Sequence, residues 1–147
     1  MTADDLISFL ATNGAYPFPT LVERVRSHGV DTEFKAQHPY DANSRTLLHY
    51  AAEYGDTKAI RWLISQGADV NRKDSHGWTP LHYAVDLDVV EATQDGRLPN
   101  DLPTARLLVE LGADPYARDE EGRTPADLMP ADDSMAAVYA SVAGARG

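Results

Sequence analysis

Apolar residues recur at helical spacing in short stretches that are separated by polar turns. Near the N-terminus, one stripe over residues 6–10 ends at Asn13-Gly14, and a second stripe over 21–25 ends at Gly29. Because side chains three and four positions apart share one face of a helix, each stripe predicts a short amphipathic helix. We therefore expect a helix pair within residues 1–29.

Three further helices are predicted, at about residues 46–53, 57–66 and 131–142. The second of these carries three apolar residues on one face, which is typical of a helix packed against a core. The third is expected to be buried along one side. The side chains assigned to these two buried faces are Ile60, Leu63, Ile64, Met135, Val138 and Val142.

Between these helices, the sequence predicts a longer helix and then an interruption. A helix that begins near residue 80 can extend by a turn through Val89 and Val90, after which Asp95-Gly96 forces a turn. Pro103 can occupy the first turn of the next helix, where its missing N–H leaves no hydrogen bond unmade.

A sequence repeat organises these elements. Thr79-Pro80-Leu81-His82 follows Thr46-Leu47-Leu48-His49 at a distance of 33 residues. An Asp stands five residues before each Thr, and Gly-Ala-Asp closes each unit at 67–69 and 112–114. A third opening follows, with Asp119, Gly122, Thr124 and Pro125.

With this period and its Thr-Pro-Leu-His core, the chain resembles the ankyrin-repeat family. The resemblance implies an all-α solenoid of stacked helix-turn-helix units, with β-hairpin-like turns between the repeats. One domain is expected over residues 1–147. Its parts are an N-terminal cap at 1–29, repeats at 41–73 and 74–118, and a C-terminal cap at 119–147. The second repeat spans 45 residues from Gly67 to Gly112 rather than 33, which places an insertion near 89–100.

The residues that recur in the repeat have structural explanations. A Thr can cap the amides at a helix start, Pro suits the first helical position, and Gly ends a helix in the left-handed conformation. The resemblance implies that two histidines hydrogen-bond backbone groups and tie neighbouring turns together. A metal site formed by these histidines is the weaker alternative, because a full repeat separates them. The repeat-motif positions are Thr46, His49, Gly67, Thr79, Pro80, His82, Gly112, Thr124 and Pro125.

The charge balance narrows the class of partner. The chain has 23 acidic and 13 basic side chains, which give a formal net charge of −10. Nucleic acid is excluded as the expected ligand, because phosphate binding needs a clustered basic surface. The acidity favours a basic protein partner, and solubility alone is the alternative explanation.

Composition also bounds the compartment. The chain contains no cysteine, which fits a reducing cytosol and removes disulfide and thiol chemistry. It has no apolar run long enough for a membrane span, and its first residues are acidic where a secretory signal would be basic. We expect a cytoplasmic protein without a membrane association or a cofactor, which is monomeric when free.

Catalysis is a remote alternative. No nucleophile-elbow, zincin, phosphate-loop or dinucleotide-binding motif is present. Adjacent carboxylates could act as acid and base, but such pairs are usually solvated surface. These pairs are Asp4-Asp5, Glu120-Glu121 and Asp132-Asp133.

The resemblance implies that a partner contacts the hairpin tips and the exposed positions of each first helix, which line the concave side. Trp78 and Tyr54 are expected to be exposed there, and aromatic residues dominate the energy of many interfaces. The alternative for Trp78 is that it lies flat on the neighbouring hairpin. Several carboxylates make the same surface acidic. The candidate partner-binding residues are Asn43, Arg45, Glu53, Tyr54, Ser75, His76, Trp78, Asp86, Leu87, Glu120, Glu121 and Arg123, with Ala42 and Gln66 beside them.

The insertion is a second candidate site. Glu91 and Asp95, flanked by other carboxylates at 86, 88 and 101, are expected to be answered only by Arg97. An added loop on a regular scaffold often carries specificity, although a functionless insertion is an equal alternative.

These observations lead to one main hypothesis and two rivals. The main hypothesis is a binding module that masks or scaffolds a basic protein through an acidic concave face with Trp78 as its anchor. A sharper version is an immunity or antitoxin-like inhibitor, which rests on charge and size. The rivals are a structural or self-associating scaffold and, remotely, a carboxylate-based enzyme.

Overall fold

The structure is a computed structural model that describes residues 45–145. The predicted cap at 1–29 and the candidate contact residues Ala42 and Asn43 lie outside the described residues.

The described part of the chain is helical and contains no strand, so the all-α prediction is confirmed there. Its helices are α1 (Leu47–Glu53), α2 (Thr57–Ser65), α3 (Pro80–Gln94), α4 (Pro103–Glu110) and α5 (Asp133–Ala143), with a 3-10 helix at Pro125–Leu128 before α5. Within residues 45–145, none of these helices has the length and apolar character that crossing a bilayer requires.

Successive helix pairs stack on one another around a continuous apolar core. Helix α1 packs against α2 and α3, α3 against α4 and the 3-10 helix, and α4 against α5. Ala52 and Ala84 are fully buried, and their small side chains let neighbouring helices approach closely. The large side chains at the centre of the core are Leu48, Ile60, Leu63, Leu81 and Leu108.

Helix α5 buries a stripe that differs by one residue from the expected one. Met135 and Val142 are buried, but Val138 is only partly buried, and Tyr139 takes its place. Residues 135, 139 and 142 follow the spacing that aligns side chains on one helix face. The Tyr139 hydroxyl also donates to the carbonyl oxygen of Pro115, which ties α5 to the end of the preceding repeat.

Two buried histidines join each repeat to the next. The Thr46 N–H donates to Nδ1 of His49 at 3.0 Å, while Nε2 of the same ring lies 3.0 Å from the carbonyl oxygen of Trp78. His82 repeats this arrangement with Thr79 at 3.1 Å and with the carbonyl oxygen of Arg123 at 3.2 Å. Because a backbone N–H donates to Nδ1, the ring proton must be on Nε2, where it can be donated to the carbonyl.

Burial keeps both rings neutral. Desolvation lowers the pKa of His49 and of His82 below 6.5, although the carbonyl groups they contact act in the opposite direction. A second proton would sit on Nδ1, facing a backbone N–H instead of an acceptor. Lowering the pH therefore destabilises the hydrogen bonds that His49 and His82 make.

The last unit keeps the hydrogen bonds at its own helix start but lacks the hydrogen bond to a following turn. Asp127 stands where the earlier units have His, and its Oδ2 accepts from Thr124 N at 2.8 Å and lies 3.1 Å from Thr124 Oγ1. A carboxylate has no proton to donate across to a further turn. Asp127 thus caps its own helix start without forming the bridge that His49 and His82 form.

The insertion lengthens α3 and changes how α4 begins. Helix α3 continues to Gln94, one turn beyond the expected Val90, and Gly96 then turns the chain at φ +69°. Asp88 is 4% exposed, and its Oδ2 accepts from Ala105 N at 3.0 Å, so it caps the N-terminus of α4 from a neighbouring helix.

Burial raises the pKa of Asp88 to about 6 from 3.8, against the opposing effect of the Ala105 and Thr104 hydrogen bonds. Since the folded state binds this proton more tightly than the unfolded state, ionisation of Asp88 costs stability above pH 6. That cost disappears as the pH falls below 3.8, the pKa of this carboxyl in the unfolded chain.

The histidine bridge predicts a position-specific loss of stability. In His82→Asn, a short amide can still accept from Thr79 N–H but cannot reach the Arg123 carbonyl. We expect about 2 kcal/mol less stability, because the Arg123 carbonyl loses its donor and some packing is lost. Urea unfolding measures the loss, and Asp127→Asn, which has no bridge to lose, serves as the matched control. Equal losses in the two variants would contradict the bridging role.

Asp88 predicts an unusual pH dependence. Asp88→Asn keeps an acceptor for the α4 amides but carries no charge. The free energy of unfolding of the variant relative to the native chain should therefore fall by about 1 kcal/mol between pH 7 and pH 5, where the native chain regains the cost of ionisation. Because both proteins contain His49 and His82, the difference between their free energies of unfolding does not include the effect of the histidines. Parallel pH profiles for the two proteins would rule out a raised pKa at this position.

Candidate protein-binding surface

Two hairpin turns project from the stacked helices, at residues 74–79 and 119–124. In the first turn, Asp74 Oδ1 accepts from the backbone N–H groups of His76 at 2.9 Å and Trp78 at 3.0 Å. The Asp74 N–H donates to the Trp78 carbonyl at 2.9 Å, which closes the turn. Hydrogen bonds to the buried Asp74 carboxylate therefore hold the turn in place of strand pairing.

The second hairpin turn is built in the same way. Asp119 Oδ1 accepts from the N–H groups of Glu121 and Arg123, both at 2.9 Å. Burial alone raises the pKa of Asp119, but the hydrogen bonds from Arg123 and Glu121 outweigh it and hold the pKa below its usual value. Asp119 thus stays ionised at neutral pH and fixes the turn.

The two turns lie directly against each other. The Glu120 N–H donates to the carbonyl oxygen of His76 at 3.0 Å. Gly77 has φ +77°, and a Cβ added there would lie 2.8 Å from Glu120 N. Only glycine fits this contact, because both the backbone conformation and the neighbouring backbone exclude a side chain.

Trp78 belongs to this contact and is not a free anchor. Its indole Nε1–H donates to Asp119 Oδ2 at 3.1 Å, and its ring stacks on His82 at a centroid distance of 5.6 Å. It also meets Tyr83 edge-on at 5.0 Å. The expectation of an exposed Trp78 is therefore wrong, and the alternative, in which Trp78 lies on the neighbouring hairpin, is the one observed: packing of the next turn leaves the side chain only partly accessible.

Arg45 is likewise more enclosed than expected. Its guanidinium carbon lies 4.7 Å from the Tyr83 ring centroid, and Nη1 pairs with Glu53 Oε2 at 2.9 Å. The Arg45 side chain is 18% exposed. Cation–π stacking and the ion pair explain why a charged residue can be covered here.

These residues enclose a groove of about 320 Å³, which we call the hairpin groove. Trp78 and Tyr83 provide aromatic surface, whereas Glu120, Glu121 and His76 are exposed. Seven described residues line it: Arg45, His76, Trp78, Tyr83, Glu120, Glu121 and Arg123. The structure thus brings together five of the predicted contact residues from both hairpin turns, plus Arg45 from the start of α1.

The other predicted contact residues within 45–145 do not line the hairpin groove. Tyr54 and Asp86 are exposed, as are Ser75 and Gln66. Leu87 is half-buried, and its Cδ2 would lie 2.9 Å from a Cβ at Gly55. Glu53 is linked to the hairpin groove through its ion pair with Arg45.

The insertion forms a separate hollow of about 380 Å³. The expectation that only Arg97 answers its carboxylates is wrong. Arg97 pairs with Asp95 at 2.9 Å, and Arg106 from α4 pairs with Asp101 at 2.9 Å. Asp88 is used as the α4 cap, so the insertion is less acidic than the sequence suggested.

Asp74 and Asp119 organise the two turns, as the Asp that recurs five residues before each Thr indicated. Tyr83 was missed as a candidate, and its hydroxyl donates to Asp74 Oδ2 at 2.5 Å. Burial and the bond to Asp74 raise the pKa of Tyr83 far above its usual value, so the phenol remains a donor.

Comparison with known proteins agrees with this architecture. A family model described as ankyrin repeats, in three copies, matches residues 8–119. The chain is 38% identical over 85 residues to protein phosphatase 1 regulatory subunit 27 of Homo sapiens, which covers 58% of this chain and 47% of that protein. It is 37% identical over 87 residues to protein phosphatase 1 regulatory subunit 12A of Mus musculus, covering 59% and 7%.

A third relative carries the name of a ribonuclease. The chain is 40% identical over 76 residues to 2-5A-dependent ribonuclease of Mus musculus, covering 51% of this chain and 9% of that protein. The chain therefore spans about half the length of regulatory subunit 27 and far less of the other two proteins.

Proposed function

This chain belongs to the ankyrin-repeat family, and we propose that it binds a basic protein through the hairpin groove. Ankyrin repeats mediate protein–protein interaction, and solenoids of this kind use extended concave surfaces for it. The class of function is therefore binding. The proposal adds the location of the contact and the charge of the partner.

The observation that carries the proposal is the combination of aromatic surface and carboxylates in the hairpin groove. Arg45 is paired with Glu53 at 2.9 Å, and Arg123 is paired with Asp119 at 3.0 Å. Together with Glu120 and Glu121, four carboxylates surround two guanidinium groups. The local balance is negative, which favours a cationic side chain from the partner.

A lysine or arginine side chain suits this arrangement physically. Its aliphatic stem can lie on the partly exposed ring of Trp78, while its charged head reaches the exposed carboxylate of Glu120. Glu121, which pairs with Arg123 at 3.3 Å, lies beside it. Charge-assisted hydrogen bonds to carboxylates are the stronger class of hydrogen bond. The rigid floor reduces the entropy that binding must overcome, because Trp78 is already held by Asp119.

The charge of the whole chain acts in the same direction. A formal net charge of −10 accelerates the encounter with a basic protein, and this steering weakens as salt is added. An inhibitor that covers a basic active site, as an immunity or antitoxin-like protein does, is the sharpest form of the proposal. We place this function in the cytoplasm, with the free chain as a monomer.

The relatives support a regulatory form of binding. Two of them carry names of regulatory subunits of protein phosphatase 1. By analogy, this chain would hold an enzyme and alter its activity instead of catalysing a reaction itself. Capture of the partner from the native host identifies this enzyme.

The proposal predicts that one charge in the hairpin groove controls partner binding. Capture from the native host with the chain as bait should retain a basic protein, and Glu120→Lys should weaken that complex about tenfold. Glu110→Lys makes the same charge change at an exposed position on α4 and is the matched control. Affinities of the recovered partner are then measured by calorimetry at two salt concentrations.

Three results would count against the proposal. Equal weakening by both variants would leave only long-range charge as the cause. An affinity that does not change with salt would remove the electrostatic argument. Light scattering that shows the mass of the pure chain increasing with its concentration would favour the rival hypothesis of a self-associating scaffold.

A further inference from the structure

A second groove lies at the C-terminal end of the array, away from the hairpin groove. It has a volume of about 700 Å³ and lies between the turn that carries Tyr116, the segment 126–133 and one face of α5. We call it the terminal groove. Its size is in the range of sites that hold small ligands or short peptide segments.

The floor of the terminal groove is apolar. Met129, Met135 and Tyr139 are buried at its base, while Ala136 on α5 is exposed beside them. Tyr116 is 66% exposed, which is unusual for a large aromatic side chain. An apolar concavity next to an exposed aromatic ring offers room for an apolar side chain of another molecule.

The edge of the terminal groove is acidic. Asp127, Asp132 and Asp133 line it and are exposed, and none of its described lining residues is Lys, Arg or His. Hydrogen bonds from Ser134 lower the pKa of Asp132, so that carboxylate stays ionised at neutral pH. This differs from the insertion hollow, where Arg97 pairs with Asp95 and Arg106 with Asp101.

The charge of the edge decides between two occupants. A second copy of the chain, seated groove to groove, would bring two sets of three carboxylates together, and like charges across an interface are repelled. A basic segment meets attraction at the same edge. The apolar floor requires at least one apolar side chain in addition to the charge.

We propose that the terminal groove is a second docking site, which binds a short peptide segment of a partner in which apolar residues are flanked by lysine or arginine. The apolar side chains enter between Tyr116 and Met135, and the basic side chains pair with the carboxylates at the edge. This site is independent of the hairpin groove and does not rest on the function proposed for it.

A labelled peptide and two arginine variants test this site. The probe is fluorescein-labelled Arg-Lys-Leu-Phe-Lys-Arg, and fluorescence anisotropy measures its binding to the full chain. Ala136→Arg fills the terminal groove and adds a positive charge. Ala137→Arg makes the identical change at the next position of α5, which is exposed but does not line the groove. Circular dichroism checks that both variants fold, since alanine and arginine are both good helix formers.

The proposal expects Ala136→Arg to weaken peptide binding at least about tenfold and Ala137→Arg to leave it nearly unchanged. Peptides with Glu in place of the basic residues, or with Ser in place of Leu and Phe, should bind much more weakly. In the native chain, the ¹³C-methyl signals of Met129 and Met135 should shift when the peptide is added.

Four results would overturn the proposal. Equal effects of the two arginine variants would show that only net charge matters. Undiminished binding of the Ser peptide would show that the apolar floor is not used. Loss of binding in Glu120→Lys instead of Ala136→Arg would place the peptide in the hairpin groove. A dimer that Ala136→Arg disrupts would make a second copy of the chain the occupant.

Discussion

The array depends on two imidazole rings that each hold one repeat to the next. His49 spans from Thr46 at its own helix start to the Trp78 carbonyl, and His82 spans from Thr79 to the Arg123 carbonyl. Each carbonyl belongs to a hairpin turn, so the bridge sets where the turn lies. Since an unpaired buried acceptor costs free energy, these bonds constrain the position of every turn that follows.

The residues that stabilise the hairpin turns are also those that shape the hairpin groove. Asp119 holds its own turn, accepts from the Trp78 indole and pairs with Arg123, so one buried carboxylate serves turn geometry, aromatic placement and charge balance. Because the same residues hold the turns and line the groove, the hairpin groove is rigid. The exposed carboxylates of the groove can be substituted without disturbing the packing of the repeats, whereas Asp119 and Gly77 cannot. Family membership thus fixes the scaffold, and we propose that the exposed positions of the groove carry specificity.

Local signals in the sequence predicted the helices well, because a few adjacent residues determine where a helix starts and ends. The Thr-Pro openings, the Gly ends and the period of 33 residues placed α1 to α4 within a residue or a turn. The errors concern contacts between distant residues. The exposure of Trp78 is decided by Asp119, 41 positions later, and the role of Asp88 by Ala105, 17 positions later. The terminal groove escaped prediction for the same reason, since it forms only when α5 folds beside the turn at Tyr116.

The most direct test of the account is the protonation state of the two bridging histidines. Nitrogen-15 NMR of labelled imidazoles distinguishes an Nε2–H ring from an Nδ1–H ring and from a charged ring. At neutral pH, His49 and His82 should both be neutral with the proton on Nε2, and each ring should become charged only at a pH below the ordinary histidine pKa of 6.5. An Nδ1–H tautomer, or titration at the ordinary pKa, would contradict the claim that these rings hold the repeats together.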